Sequence, residues 1–251
     1  MPVRFPISAD PASRSFAKGA GALYLVIAAA GFFSILWVPS QLTVPGDPAA
    51  TAAQVAENRG LFLAGVGGDV VMMTAEVVLS VMLYAMFRPF GAVLALAAMV
   101  ARLMMAAVMA AMLLPQAGIL ALASHEAPLV ALDAAQRAEL AWVLRQAHDA
   151  GVWVWQVFFT LHLWLLGLLA WRSGAVPRVL AAGLVVGGTG YLVDSVRAVA
   201  APGSDVLTGI GVALLGIVTL SEIGFALWLL VRGRVPSSRK AGIPRGASSQ
   251  G

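Results

Sequence analysis

The sequence predicts an all-α membrane protein, a polytopic bundle of six transmembrane helices with both termini in the cytoplasm. Of its 251 residues, 60% are hydrophobic and 11% are charged, whereas soluble domains are about half apolar and a quarter charged. Crossing about 30 Å of hydrocarbon takes roughly 20 apolar residues. Stretches of this kind lie near residues 20–41, 61–87, 90–114, 149–171, 178–201 and 206–231.

The first apolar stretch is predicted to be a retained span rather than a signal peptide. Its run is longer than the apolar region of a signal peptide and continues directly into Trp37-Val-Pro39. Residues 1–18, which lack apolar periodicity, are expected to form a cytoplasmic tail. The transmembrane domain then covers residues 19–232, and residues 233–251 are expected to form a disordered basic tail.

The distribution of basic residues predicts the orientation. Eleven of the 16 Lys and Arg residues fall on the side of the two termini, three fall in the opposite loops, and Arg102 and Arg197 lie within spans. Cytoplasmic loops carry the excess of basic residues, so we expect a multi-pass protein of the cell membrane, the inner membrane in a bacterium. The lipid bilayer is the expected partner, and nucleic acid is not. The oligomeric state is not specified.

Two outer loops are predicted, at residues 42–60 and 115–148. In the first, Asp47-Pro48 is a turn signal, and the Ala-rich stretch after it favours a short helix. In the second, Asp133 with Gln136 three residues later resembles a capping box, and apolar residues follow at helical spacing. We expect an amphipathic helix that leads into the fourth span, either as a cover for the bundle or as a substrate gate.

Polar side chains within the spans are the candidate functional residues, because charge in hydrocarbon is costly. From the helical rise, Asp69 and Gln156 lie about 12 Å and Asp194 about 10 Å below the outer surface. His148 and Arg197 lie near the outer ends of their spans. We therefore predict one polar cavity that faces outward, with these members: Asp69, His148, Gln156, Tyr191, Asp194, Arg197 and Glu222.

A second polar group lies deeper, at about 18–23 Å on the same scale, and consists of Glu76, Arg102, His162 and Glu222. Glu76 and Arg102 are suited to an interhelical ion pair that fixes helix register. His162 is typical of a hydrogen-bonded packing residue. Asp194 and Arg197 are three residues apart and can pair along one helix.

Cofactor chemistry is only weakly indicated. The chain has no cysteine, which excludes disulfides, iron–sulfur ligation and covalent haem attachment through thiols. Asp69, His148 and Asp194 offer oxygen and nitrogen ligands for a divalent metal, without a recognised spacing motif. Haem is not expected, because His148 and His162 lie about 21 Å apart on one helix and His125 lies in a loop. A proton relay through membrane carboxylates and histidines is a third alternative.

Several short patterns together resemble a known family. They include Val44-Pro45-Gly46-Asp47, Gly68-Asp69, Arg172-Ser173-Gly174, and the run Gly190-Tyr191-Leu192-Val193-Asp194-Ser195. Over about residues 20–233 the chain is similar to the prokaryotic integral-membrane family called domain of unknown function 4386. The resemblance implies the fold and no activity. Glu76, Arg102 and His162 do not belong to its pattern.

Three functional classes follow from these residues. The first is binding or transport of a small molecule or ion through the outward cavity. The second is an intramembrane enzyme that acts on a lipid or another apolar substrate with a carboxylate–histidine site. The third is a structural or accessory membrane subunit. The sequence leaves open whether the protein is an enzyme.

Overall fold

A computed structural model describes residues 10–123, 132–233 and 235, and the regular structure of these residues is entirely helical. Six helical segments are long and apolar enough to cross a membrane, as predicted. These segments are Arg14–Leu42, Arg59–Phe90, Ala92–Ala123, Ala134–Ser173, Arg178–Ala200 and Asp205–Val231.

Two of the spans are interrupted. The first consists of α1 (Arg14–Gly31), a π-helical turn (Phe32–Trp37) and α2 (Val38–Leu42), and the third consists of α5 (Ala92–Ala111) and α6 (Leu113–Ala123). The remaining helices are α3 (Pro48–Glu57), α4 (Arg59–Phe87), α7 (Ala134–Ser173), α8 (Arg178–Ala200) and α9 (Asp205–Val231).

The six spans form a closed ring in chain order. Helix α1 packs against α4, α4 against α5, α5 against α7, α7 against α8, α8 against α9, and α9 against α1. The guanidinium of Arg14 donates a hydrogen bond to the carbonyl of Val231 at 2.8 Å, which joins the start of α1 to the end of α9. Both lie at the same end of the ring. The assignment of that end to the cytoplasm stays a prediction.

Helices occupy both ends of the region 115–148, which was predicted to be an outer loop. Helix α6 extends the third span to Ala123, and α7 begins at Ala134. Pro115 lies in the first turn of α6, where its missing N–H is tolerated, so it interrupts the span without ending it. The capping box is confirmed: Asp133 Oδ1 accepts from the Gln136 N–H at 2.8 Å, and Gln136 Oε1 accepts from the Asp133 N–H at 3.0 Å.

The short helix expected in the first outer loop is also present, as α3, and the Asp47 side chain caps it by accepting from the Ala50 N–H at 2.9 Å. Helix α1 begins at Arg14, inside the predicted tail 1–18, with Ser13 as its cap. The rest of that tail up to residue 9, His125, and most of the predicted tail 233–251 lie outside the described residues.

Glycines on α8 allow it to approach α9 closely. Gly187 faces the backbone of Val218, where an added Cβ would lie 2.8 Å from the Val218 Cα. Gly190 faces Leu214, and an added Cβ there would lie 2.8 Å from the Leu214 Cβ. Small residues permit this near-contact of backbones, which supplies van der Waals attraction between helices in lipid.

We expect Gly187→Ala to lower the free energy of unfolding by about 1–3 kcal/mol, the usual cost of overpacking, because its methyl group meets backbone atoms. The matched control is Gly216→Ala on α9, where a Cβ meets open space. The measurement is the thermal unfolding midpoint in detergent. Equal midpoints for the two variants would contradict the described packing of α8 on α9.

Candidate functional site

A cavity of about 110 Å³ lies at the end of the ring where α2, α3 and α6 are found. Its walls come from the π-helical turn, α2, α3, α4, α5, α6 and α7. Helix α7 has 40 residues, about 60 Å at the helical rise, so its first half extends beyond a hydrocarbon core of about 30 Å and helps to enclose the cavity. The polar lining of the cavity includes Ser34, Thr43, Asp69, Gln116 and His148.

The first span approaches α4 closely at this cavity because α4 presents glycines to it. An added Cβ on Gly65 would lie 2.9 Å from Val38 Cγ1, and one on Gly68 would lie 3.1 Å from Ser34 Cβ. Ser34 belongs to the π-helical turn Phe32–Trp37, an element that often occurs at functional sites. Because Gly68 has no side chain, Ser34 of the first span can lie beside α4 next to Asp69.

Gln116 connects the two predicted site residues of the cavity. Its Nε2 donates to Asp69 Oδ2 at 3.2 Å and lies 3.4 Å from both ring nitrogens of His148. Because the Gln116 amide nitrogen is equally distant from both ring nitrogens of His148, it packs against the imidazole ring and does not point at the lone pair of one nitrogen. Asp69 and His148 thus meet through an amide, and no direct hydrogen bond joins these two described side chains.

The interruption between α5 and α6 orients His148. Its Nδ1 lies 2.9 Å from the carbonyl oxygen of Met112, the residue between the two helices. If that carbonyl accepts, Nδ1 carries the proton and Nε2 is the acceptor nitrogen. Gln116 is missing from the predicted site because the third span was predicted to end at residue 114, which placed Gln116 in the outer loop. The sequence feature that indicates Gln116 is a polar amide side chain directly after Pro115, within a run of apolar residues.

Two residues of the cavity lining carry a buried hydroxyl group that has no hydrogen-bond partner. Among the described residues, the buried side-chain nitrogen and oxygen atoms that lack a partner are Ser34 Oγ and Thr43 Oγ1, and both residues line this cavity. Ser34 is 7% exposed. The cavity therefore contains polar groups that the protein itself does not satisfy.

A charged pair on α7 also lines the cavity. Arg145 Nε lies 3.0 Å from Asp149 Oδ1, with the two side chains 27% and 53% exposed. The pair is neutral as a whole and in contact with solvent, so it contributes little to stability. Trp142 and Trp155 of the same helix add aromatic surface to the lining.

Three residues predicted for the cavity form a separate cluster between α7 and α8. The Gln156 amide donates to Asp194 Oδ2 at 3.0 Å and accepts from the Ser195 hydroxyl at 2.8 Å. Asp194 Oδ1 accepts from Arg197 Nη2 at 2.8 Å, which confirms the pairing along one helix. Neither Asp194, Gln156 nor Arg197 lines the cavity. Each member is satisfied by its neighbours, so the cluster locks α7 to α8.

The proposed metal set of Asp69, His148 and Asp194 is not assembled. Asp194 is bound to Arg197 and Gln156, whereas Asp69 and His148 contact Gln116. In the described ranges, no group of three or more His, Asp or Glu side chains is placed to hold a metal ion.

Three members of the deeper polar group, Glu76, Arg102 and His162, form a hydrogen-bonded network around Arg102, which is 0% exposed. The fourth, Glu222, is not hydrogen-bonded to these described residues. The Nε of Arg102 donates to Glu76 Oε2 in a buried ion pair. Its Nη1 lies 3.2 Å from the Tyr24 hydroxyl and 2.9 Å from His162 Nε2. Its Cζ lies 5.0 Å from the Tyr24 ring centroid and 5.6 Å from that of Phe159. We call Tyr24, Glu76, Arg102 and His162 the Arg102 network.

The network fixes the tautomer of His162. Arginine has donors and no acceptor, so His162 Nε2 accepts from Arg102, and Nδ1 carries the proton that it donates to the Ala98 carbonyl at 2.8 Å. His162 is therefore a neutral, fully bonded packing residue, in agreement with the sequence prediction.

Tyr191 and Glu222, also predicted for the cavity, lie near this network. The Tyr191 ring centroid is 5.1 Å from that of Phe159. Glu222 is partly buried on α9, within electrostatic range of Arg102 and Glu76, and carries no hydrogen bond or salt bridge to the described part of the chain. With these two residues, every span contributes a side chain to one buried region.

Comparisons with known proteins identify a family and name no activity. The model of a family described as domain of unknown function (DUF4386) matches residues 19–233. An uncharacterized protein of Archaeoglobus fulgidus is 33% identical over 78 residues, which are 31% of this chain and 43% of that relative. The match thus spans less than half of the relative's length. No solved structure matches the chain.

We expect Glu76→Gln to lower the free energy of unfolding by about 3–5 kcal/mol, because it leaves the buried Arg102 without its anion. The matched control is Glu222→Gln, which removes an unpaired carboxylate and should change stability by less than about 1 kcal/mol. Thermal or denaturant unfolding in detergent measures both. A Glu76→Gln variant as stable as the control would contradict the role of the ion pair.

Proposed function

This chain belongs to the family described as domain of unknown function DUF4386, and we propose that it is a multi-pass membrane protein that binds a small molecule in the cavity of Asp69, Gln116 and His148. The family assignment supplies no activity. The proposal therefore rests on the chemistry of the cavity.

The observation that carries the proposal is the pair of unsatisfied hydroxyls, Ser34 Oγ and Thr43 Oγ1. A buried polar group without a partner costs about 1–3 kcal/mol. Elsewhere in the spans the polar side chains of the Arg102 network and the Asp194 cluster are bonded to one another. Ser34 and Thr43 both belong to the lining of the cavity that contains the buried Asp69, so a polar ligand bound there would supply partners for these hydroxyls.

The cover of the cavity supports access for such a ligand. Residues of α2, α3, α6 and α7 form a small apolar cluster, separate from the main core of the bundle, that consists of Val38, Leu42, Val55, Ile119, Leu122 and Ala141. Satellite clusters of this kind pack under peripheral segments. Helix α3 lies between the first two spans along the chain and contains no residue of the Arg102 network, so it can move without disturbing that network.

The geometry favours binding over acid–base catalysis. A carboxylate–histidine pair needs hydrogen-bond reach, directly or through one water. Here the Gln116 amide lies between Asp69 and His148, and an amide does not relay a proton. An enzyme would need Gln116 to move away first.

Transport is a second candidate, supported by the alignment of the cavity with the Arg102 network. On α4, α5 and α7, a residue that lines the cavity lies seven positions from a network residue, and a spacing of two turns keeps both on one helix face. These pairs are Asp69 and Glu76, Met109 and Arg102, and Trp155 and His162. The buried side chains of Met105 and Phe159 occupy the intervening turns, so a route through the bundle would require them to move.

A thermal-shift screen of small molecules tests the binding proposal. We expect some compounds to raise the unfolding midpoint of the wild-type protein in detergent and to have little effect on Asp69→Asn. The control is Asp194→Asn, which alters a carboxylate outside the cavity and should keep the response to the same compounds. If no compound acts on the wild type, or if both variants respond equally, the proposal is wrong.

A further inference from the structure

Asp69 is a buried carboxylate in a cavity where the available cations are already paired. The residue is 9% exposed, and its hydrogen bond comes from the neutral amide of Gln116. In the described ranges, the salt-bridged arginines are Arg102, Arg145 and Arg197, and each pairs with a different acid. None of these arginines pairs with Asp69, and the Gln116 amide lies between Asp69 and the ring of His148.

We propose that the ligand of this cavity is a small organic molecule with a primary ammonium group, for which Asp69 is the counter-ion. The inference rests on the proposed binding function and adds the chemical class of the ligand. A buried carboxylate is favourable only when it is paired, and the ligand supplies the missing charge.

The polar lining matches the hydrogen-bonding needs of an ammonium group. Such a group has three N–H donors and no acceptor. Around the cavity, the acceptors are the second carboxylate oxygen of Asp69 and the unpartnered hydroxyls of Ser34 and Thr43. Ser34 lies beside the start of this site, because an added Cβ on Gly68, the neighbour of Asp69, would lie 3.1 Å from the Ser34 Cβ. Asp69 and Ser34 are therefore the acceptors for the ammonium nitrogen. Thr43 lies nine residues beyond Ser34, roughly 13 Å at the helical rise, and is too far away to share that nitrogen.

The apolar lining favours an organic cation over an inorganic one. The side chains of Met73, Met109, Met112, Trp142 and Trp155 form much of the wall. Calcium and magnesium ions require six or more oxygen ligands, whereas methionine and tryptophan pack against hydrocarbon and attract cations through sulfur and aromatic contacts. A dry cavity of about 150 Å³ holds benzene, so about 110 Å³ suits a body of five or six heavy atoms.

Isothermal titration calorimetry of the full-length protein in detergent tests the ligand class. The probes are 3-methylbutylamine and its matched neutral and acidic analogues, 3-methylbutan-1-ol and 3-methylbutanoate. We expect the amine to bind at least about tenfold more tightly than the alcohol, the size of a charged hydrogen bond. The acid should not bind measurably, because it adds a second negative charge beside Asp69.

Substitutions assign the charge preference to one residue. Asp69→Asn should reduce amine affinity to that of the alcohol and leave alcohol affinity unchanged. Asp194→Asn, which changes a carboxylate outside the cavity, should alter amine affinity less than about threefold, because distant sites act independently. Circular dichroism and the unfolding midpoint confirm that each variant is folded.

Each contrary outcome overturns the inference in a distinguishable way. If the alcohol binds as tightly as the amine, small-molecule binding survives and the ammonium assignment is wrong. If sodium or potassium chloride gives the Asp69-dependent signal instead, the ligand is an inorganic cation. If none of the three probes binds while the thermal-shift screen finds neutral or acidic ligands, the cavity binds another class. If the screen also finds none, the proposed function itself fails.

Discussion

A guanidinium buried among apolar helices must be surrounded by acceptors, and this requirement organises the bundle. Arg102 donates to Glu76, Tyr24 and His162, which come from three other spans. The rings of Tyr24 and Phe159 lie near its Cζ. Removing a partner leaves an uncompensated charge, so rotation or sliding of any of these four helices is strongly resisted. The network thus fixes the relative positions of these four helices in the interior of the bundle.

That fixed interior determines where the cavity forms. Cavity residues, among them Asp69, lie two turns away from the network on the same faces of α4, α5 and α7. At this level the backbone departs from regular α-helix at the π-helical turn of the first span and at Met112 of the third. Those two irregularities put Ser34 beside α4 and leave a carbonyl that orients His148. The cavity therefore lies between the Arg102 network and the apolar cluster of α2, α3, α6 and α7, and its lining includes residues whose hydroxyl groups have no hydrogen-bond partner.

Composition and hydropathy were sufficient to predict the six spans, and charge pairing was sufficient to predict that Glu76 meets Arg102. The membership of the cavity could not be predicted in the same way. Sequence distance gives the depth of Asp194 along its helix but not the neighbour it faces, and its partner Gln156 takes it out of the cavity. Gln116 was placed in the outer loop 115–148, because Pro115 interrupts the apolar run and a helix often ends at a proline, whereas the structure continues as α6 to Ala123.

The most direct measurement of the central claim uses the absence of native cysteine. Ser34→Cys and Ser80→Cys each replace a buried serine, one in the cavity and one whose hydroxyl donates to the Glu76 carbonyl at 2.7 Å. The labelling rate with a positively charged methanethiosulfonate, compared with a negatively charged one, is measured for both. We expect rapid, cation-selective labelling at position 34 and very slow labelling at position 80. Equal rates at the two positions, or faster reaction of the anionic reagent at position 34, would contradict an accessible cavity governed by Asp69.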